Sequence, residues 1–252
     1  TARPGHRHDP RLGGLKMRHF LLTWLAVGSS LTAELHAVSP SERLDLASWK
    51  LTLPVDTPAK GIPDEISAAE LAGFVDARHF FVDPEGRVVF RAYCDGVTTK
   101  GSGYPRSELR ELSGGRDASW GTGDERIRTM EATLCVTGLP KRKPHVVCAQ
   151  IHDARHDVLM VRLEGSNLLI EREDMPDVVL AADHPSGKSF DLRIEAGRGR
   201  VKVWFDGALA LDWQVAAKGC YFKAGCYTQS NLRKGDTAES FGEVRFSRLL
   251  LR

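Results

Sequence analysis

From Leu44 to its C-terminus this chain is cut into short runs of β-branched, aromatic and aliphatic residues by Gly-, Asp- and Asn-containing turns, and that punctuation excludes most folds. Residues 87–93 follow the turn Asp83-Pro84-Glu85-Gly86. Residues 201–205 run into Asp206-Gly207 and then 208–211, a hairpin signal because Asp-Gly suits the positive φ angles of a two-residue turn. Residues 159–164, 168–173, 190–195 and 243–251 add further strand-like runs. Only residues 66–74 read as a helix, with Ser67 as its cap. Many short strands without long helical segments predict an all-β chain folded as an antiparallel sandwich or barrel.

Within this pattern, three runs sort their side chains by chemistry. Successive side chains of a strand point to opposite faces. Along residues 221–229, Tyr221, Lys223, Tyr227 and Gln229 therefore share one face, while Phe222, Ala224, Cys226 and Thr228 share the other. Arg106, Glu108 and Arg110 alternate with Ser107 and Leu109, and Gln150 and His152 flank Ile151. Each run offers a polar face for a ligand and an apolar face for a core.

Arg106-Ser107-Glu108-Leu109-Arg110, Gln150-Ile151-His152 and the run from Tyr221 to Gln229 resemble the three signature motifs of the alginate lyases of polysaccharide lyase family 7, in the family's order and at comparable spacing. Residues 45–54 are similar to the opening strand of the family's catalytic domain, so the likeness runs from about Leu44 to the C-terminus. Thr228 is a departure, since many members carry Asn there, but its side chain is expected to point away from the polar face. The resemblance implies a β-jelly roll: two curved antiparallel sheets with a substrate groove on the concave face.

It also implies a chemistry. Alginate is a polymer of 1,4-linked uronates, and a lyase removes the proton at C5 and expels the oxygen at C4. Beside an ionised carboxylate the C5 proton is not acidic, because the carbanion would place a second negative charge next to the first. The reaction needs a group that neutralises the carboxylate, a base and an acid. Arg106, permanently charged and able to bind a carboxylate with two prongs, and Gln150, an amide donor, are assigned to neutralisation. His152 can act as base or assist neutralisation. Tyr227 is the candidate acid for the leaving oxygen, and can serve as both base and acid where the C5 proton and the leaving group lie on one side of the ring. Arg110, Lys223, Tyr221 and Gln229 are assigned to subsites that grip neighbouring uronates, and Glu108 to orienting Arg106 or Arg110. No metal or other cofactor is required. His152 and His156 stand four apart, but the Glu that would follow the first in a helical zinc motif is missing. Lys141-Arg142-Lys143, before Pro144, reads as a solvated loop.

The N-terminal part reads differently. Met17-Arg18-His19, an apolar run over residues 20–27 and small residues through Ala37 have the layout of a secretory signal peptide. Cleavage is expected after Ala37, with Ala33 the alternative, and residues 1–16 are an upstream or appended extension. The apolar run is too short to span a bilayer. The catalytic domain is thus expected over residues 38–252, as a secreted, extracellular or periplasmic protein and a monomer. The whole chain carries a formal charge of +2. Without residues 1–37 the balance is 30 basic against 31 acidic side chains, so no general affinity for nucleic acid or membranes is expected, and an acidic polymer must be held by a local basic cleft. The five cysteines leave at least one unpaired within the chain, and a bridge between Cys220 and Cys226 along a straight strand is beyond disulfide reach.

Ile151 resembles the variant associated with guluronate-containing substrate, which points to polyguluronate or mixed blocks and, with an open groove, to endolytic cleavage. Two other functions share such a sandwich. A non-catalytic carbohydrate-binding module would rely on aromatic platforms such as Trp120, Trp204 or Trp213. A glycoside hydrolase would need two carboxylic side chains at a defined separation, and no Glu-x-Asp-x-x-Glu motif is present.

Overall fold

The structure, a computed structural model, describes residues 38–172 and 174–252. The expected leader and extension, residues 1–37, lie outside the described residues. The strands, in chain order, are β1 (Trp49–Thr52), β2 (Glu65–Ile66), β3 (Phe80–Val82), β4 (Val88–Tyr93), β5 (Arg106–Ser113), β6 (Arg116–Asp117), β7 (Arg128–Gly138), β8 (His145–His152), β9 (Asp157–Glu164), β10 (Asn167–Arg172), β11 (Met175–Ala181), β12 (Phe190–Gly197), β13 (Arg200–Phe205), β14 (Ala208–Gln214), β15 (Tyr221–Thr228) and β16 (Phe241–Leu251). Among the described residues they form two antiparallel sheets. The first runs β11-β10-β9-β8-β15-β5-β1-β2, with β6 attached to β5; the second runs β14-β13-β12-β7-β16-β4-β3. This is the antiparallel sandwich that the short punctuated runs implied, in the jelly-roll form that the resemblance implied.

The alternation explains how the two sheets meet. Leu51, Leu109, Ile151, Phe222 and Ala224 of the first sheet and Phe90, Leu134, Ile194, Val203 and Phe246 of the second are all buried in one core. Each fully buried side chain of this size contributes roughly 1.5–3 kcal/mol. Hydroxyls on the inward faces of two site-bearing strands reach out of the first sheet. Ser107 Oγ donates to the His79 carbonyl at 2.9 Å and Thr228 Oγ1 to the Ala92 carbonyl at 2.9 Å. Thr228 therefore does point away from the polar face, and its hydroxyl binds β15 to β4 of the opposite sheet.

Local structure follows the turn chemistry. Asp206 and Gly207 both adopt positive φ, 47° and 80°, and close the β13–β14 hairpin. The helix is shorter than expected, spanning only Ala68–Leu71. Glu65 and Ile66 pair with β1, which delays the helix start to the Ser67–Glu70 capping box. All five cysteines are buried and free.

Candidate active site

Register places the three polar runs side by side. On one flank of β15, Tyr221 lies opposite His152 and Lys223 opposite Gln150 of β8. On the other, Lys223 lies opposite Arg110, Gly225 opposite Glu108 and Tyr227 opposite Arg106 of β5. Neighbouring strands are about 4.8 Å apart, so side chains from three separate segments meet on one outward face. The β15–β8 register shifts between Ala224 and Tyr227, around Gly225. Gly225 has φ 141°, and a Cβ there would come within 2.6 Å of the Ser107 carbonyl oxygen and 2.8 Å of Glu108 Cα. Only glycine fits that close approach.

Glu108 is the centre of the cluster. Only 1% of it is exposed. Its carboxylate accepts from Arg106 Nη1 at 2.9 Å and from the Gln150 amide, and it pairs with Lys223. Burial by itself would raise the Glu108 carboxyl, but the Lys223 and Arg106 charges hold it below the usual range. Lys223 is the opposite case: burial pushes its ammonium down to about 8, even with Glu108 opposing the shift. The sequence reading allowed Glu108 to orient either arginine. It pairs with Arg106; Arg110 instead stacks its guanidinium 3.9 Å from the Tyr221 ring centroid and lies 3.4 Å from Asp117. Three donors on β5, β15 and β8 engage the Glu108 carboxylate, and Arg110 is held by Tyr221 and Asp117 instead.

The titratable pair sits on either side of this hub. His152 Nδ1 lies 2.5 Å from the Asp153 carbonyl oxygen. A carbonyl can only accept, so Nδ1 carries the proton and Nε2 keeps the lone pair. The ring also stacks on Tyr221, with centroids 5.5 Å apart. Burial lowers the His152 imidazolium below its ordinary value, so the neutral form persists into mild acid. Tyr227 is half-buried under Arg106, whose guanidinium carbon is 3.9 Å from its ring centroid. Burial raises its phenol, and the arginine partly opposes the shift.

Some expected site residues are less available. Arg106 and Gln150, assigned to neutralisation, are 7% and 1% exposed and both are bonded to Glu108. Gln229 lies just past the end of β15, and its amide oxygen accepts from Arg162 Nη1 at 3.1 Å. Of the aromatic platforms, Trp120 is buried with its indole N–H on Glu111 at 2.8 Å, so it offers no face to a sugar.

Sequence reasoning missed other members of the cluster. Ser102, in the loop before β5, lies 3.1 Å from the Tyr227 hydroxyl and accepts from Arg106 Nη2 at 3.2 Å. In the run at 141–143, Lys141 and Arg142 are exposed in a loop and Lys143 is half-buried. Asp236 accepts from the backbone N–H groups of Lys141, Arg142 and Lys143, and Lys143 Nζ reaches the hydroxyl of Tyr104, whose ring lies 6.2 Å from that of Tyr227. No strand periodicity marks these loop residues, so only the fold reveals them. A cavity of about 770 Å³ lies beyond His152, where Asp153, Trp213 and Lys218 contribute to its walls. Arg106, Gln150 and Tyr227 are not among its lining residues.

Fold and site together define a jelly-roll protein whose concave sheet carries a cationic face with a histidine and a tyrosine flanking one buried carboxylate. The family model described as alginate lyase matches residues 44–252. The alginate lyase AlgAT5 from polysaccharide lyase family 7 is 42% identical, with a TM-score of 0.81 over 86% of this chain and 99% of that one. The alginate lyase from Corynebacterium sp. is 37% identical, with the same TM-score and coverage. An alginate lyase of Klebsiella pneumoniae is 32% identical over 141 residues, which is 45% of this chain and 46% of the relative, so the match spans a little under half of that protein. The chain belongs to the alginate lyase family, polysaccharide lyase family 7.

Proposed function

We propose that this protein cleaves alginate by β-elimination. The observation that carries the reading is the convergence of Arg106, Gln150, His152 and Tyr227, from three adjacent strands, around one buried carboxylate. A uronate whose carboxylate faces Arg106 and Gln150 has its negative charge countered where the charge grows as C5 loses its proton. In guluronate, where the C5 proton and the leaving group lie on opposite sides of the ring, His152 Nε2 takes the C5 proton and Tyr227 gives its own to O4. The C4–O4 bond breaks, the electron pair of the C5–H bond forms the C4–C5 double bond, and the product carries an unsaturated uronate at its non-reducing end. Glu108, whose negative charge would repel a uronate, holds Arg106, Lys223 and Gln150 in place, while Lys223, Arg110 and Tyr221 grip flanking units.

The finer assignments belong to the same proposal. The substrate is polyguluronate or mixed blocks, on the strength of Ile151; cleavage is endolytic; and the protein acts after export. The test is incubation with alginate while following the ultraviolet absorbance of unsaturated uronate. A rising signal supports elimination. Polymer binding without any signal would leave a binding module, and new reducing ends without unsaturation would indicate hydrolysis.

A further inference from the structure

Ser102 Oγ has four polar neighbours: Tyr227 Oη at 3.1 Å, Arg106 Nη2 at 3.2 Å, Tyr104 N at 3.2 Å and the Tyr104 carbonyl oxygen at 3.3 Å. A hydroxyl has one proton and two lone pairs. Arg106 Nη2 and Tyr104 N can only donate, so they occupy both lone pairs. The single Ser102 proton must then go to an acceptor, either the Tyr104 carbonyl or the Tyr227 oxygen. In either case Ser102 has no lone pair left for the Tyr227 proton, which is directed elsewhere.

We propose that Ser102 is a positioning residue for the elimination, its hydroxyl leaving the Tyr227 proton free for the leaving oxygen and turning its own proton onto the phenolate as that forms. Before the reaction, the Tyr104 carbonyl is a sufficient acceptor for Ser102. As Tyr227 gives its proton to O4, negative charge gathers on the phenolate oxygen, and the Ser102 proton, whose two acceptors are the Tyr104 carbonyl and the Tyr227 oxygen, meets a charged acceptor there. A hydrogen bond to a charged group is worth more than one to a neutral carbonyl. The gain therefore comes in the transition state and not in the ground state. Arg106, over the tyrosine ring and bonded to Ser102, supplies the second part of the same stabilisation. Protons and bonds balance: Tyr227 loses one proton to O4, Ser102 keeps its own, and His152 carries the one removed from C5.

The inference rests on Tyr227 as proton donor, and the experiment separates the two. Ser102→Ala is expected to lower kcat on the order of ten- to a hundredfold, the range a charged hydrogen bond spans, with little change in KM. Ser102→Thr, which keeps the hydroxyl, is expected to recover most of the loss. Independently of turnover, ultraviolet difference titration of the phenol, assigned to Tyr227 by subtracting Tyr227→Phe, should move to higher pH in Ser102→Ala. Wild-type kcat and an unmoved phenol titration in Ser102→Ala would overturn the role of Ser102, as would a Thr variant as slow as Ala with the titration unmoved. Activity in Tyr227→Phe would instead remove the proton-donor reading, and the inference with it.

Discussion

At the residue scale, the proposed site is organised around one buried carboxylate. Glu108 is the counter-charge for two buried cations and the acceptor for an amide, and removing one partner of such a set leaves charges buried without compensation. Glu108→Ala should cost about 3–5 kcal/mol in denaturant unfolding and slow turnover through misplaced Arg106. Arg106→Ala should lower kcat and not merely raise KM, because the charge it meets grows in the transition state. Tyr227→Phe keeps the ring under Arg106 and deletes only the hydroxyl. Turnover should collapse, on the order of a hundredfold or more, while the dissociation constant for alginate stays close to that of the parent; a structural tyrosine would show a lower Tm and retained activity. The pH dependence follows from two shifts. His152 must be neutral to act as base, and burial lowers it, so the acid limb of the rate should lie below the ordinary value of 6.5. Lys223 must be charged to hold a uronate, and burial brings it down to about 8, so kcat/KM should fall as pH rises through that value. Measured profiles of kcat/KM in the parent and in Lys223→Met check this: the alkaline limb near 8 should be absent from the variant.

At the element scale, β15 carries both faces of the argument. Its inward side chains Phe222, Ala224 and Cys226 are fully buried, and its outward ones line the site. Alternation alone made that sorting legible, as it did for Gln150 and His152 around Ile151. What alternation could not show is the register shift at Gly225, because the sequence of one strand says nothing about how its neighbour is offset. Gly225→Ala should therefore be far worse than an exposed glycine substitution. Its Cβ would overlap the backbone of Ser107 and Glu108, forcing β5 and β15 apart. A loss of about 1–3 kcal/mol or more, with reduced activity, is expected in thermal melts. Gly73→Ala, with open space around it, should leave activity and Tm nearly unchanged.

At the scale of the whole molecule, the near-neutral charge outside residues 1–37 leaves local geometry, not a global field, to hold a polyanion. If the N-terminal run is a signal, N-terminal sequencing of secreted material should find a chain beginning at Val38; a chain that still starts at or before Met17 would sink that reading. The sequence by itself determined the fold class, the faces of the three polar runs and the turn at Asp206-Gly207, since period-two alternation and turn propensity are properties of neighbouring residues. It could not determine which distant residues share a bond. That Glu108 takes Lys223 and Gln150 besides Arg106, that Arg110 goes to Tyr221, and that Ser102 and Tyr104 come up beside Tyr227 were decided only when β5, β15 and β8 were laid edge to edge. Those contacts join residues up to 125 positions apart, and the core that brings them together is formed by side chains on the other face of the same strands.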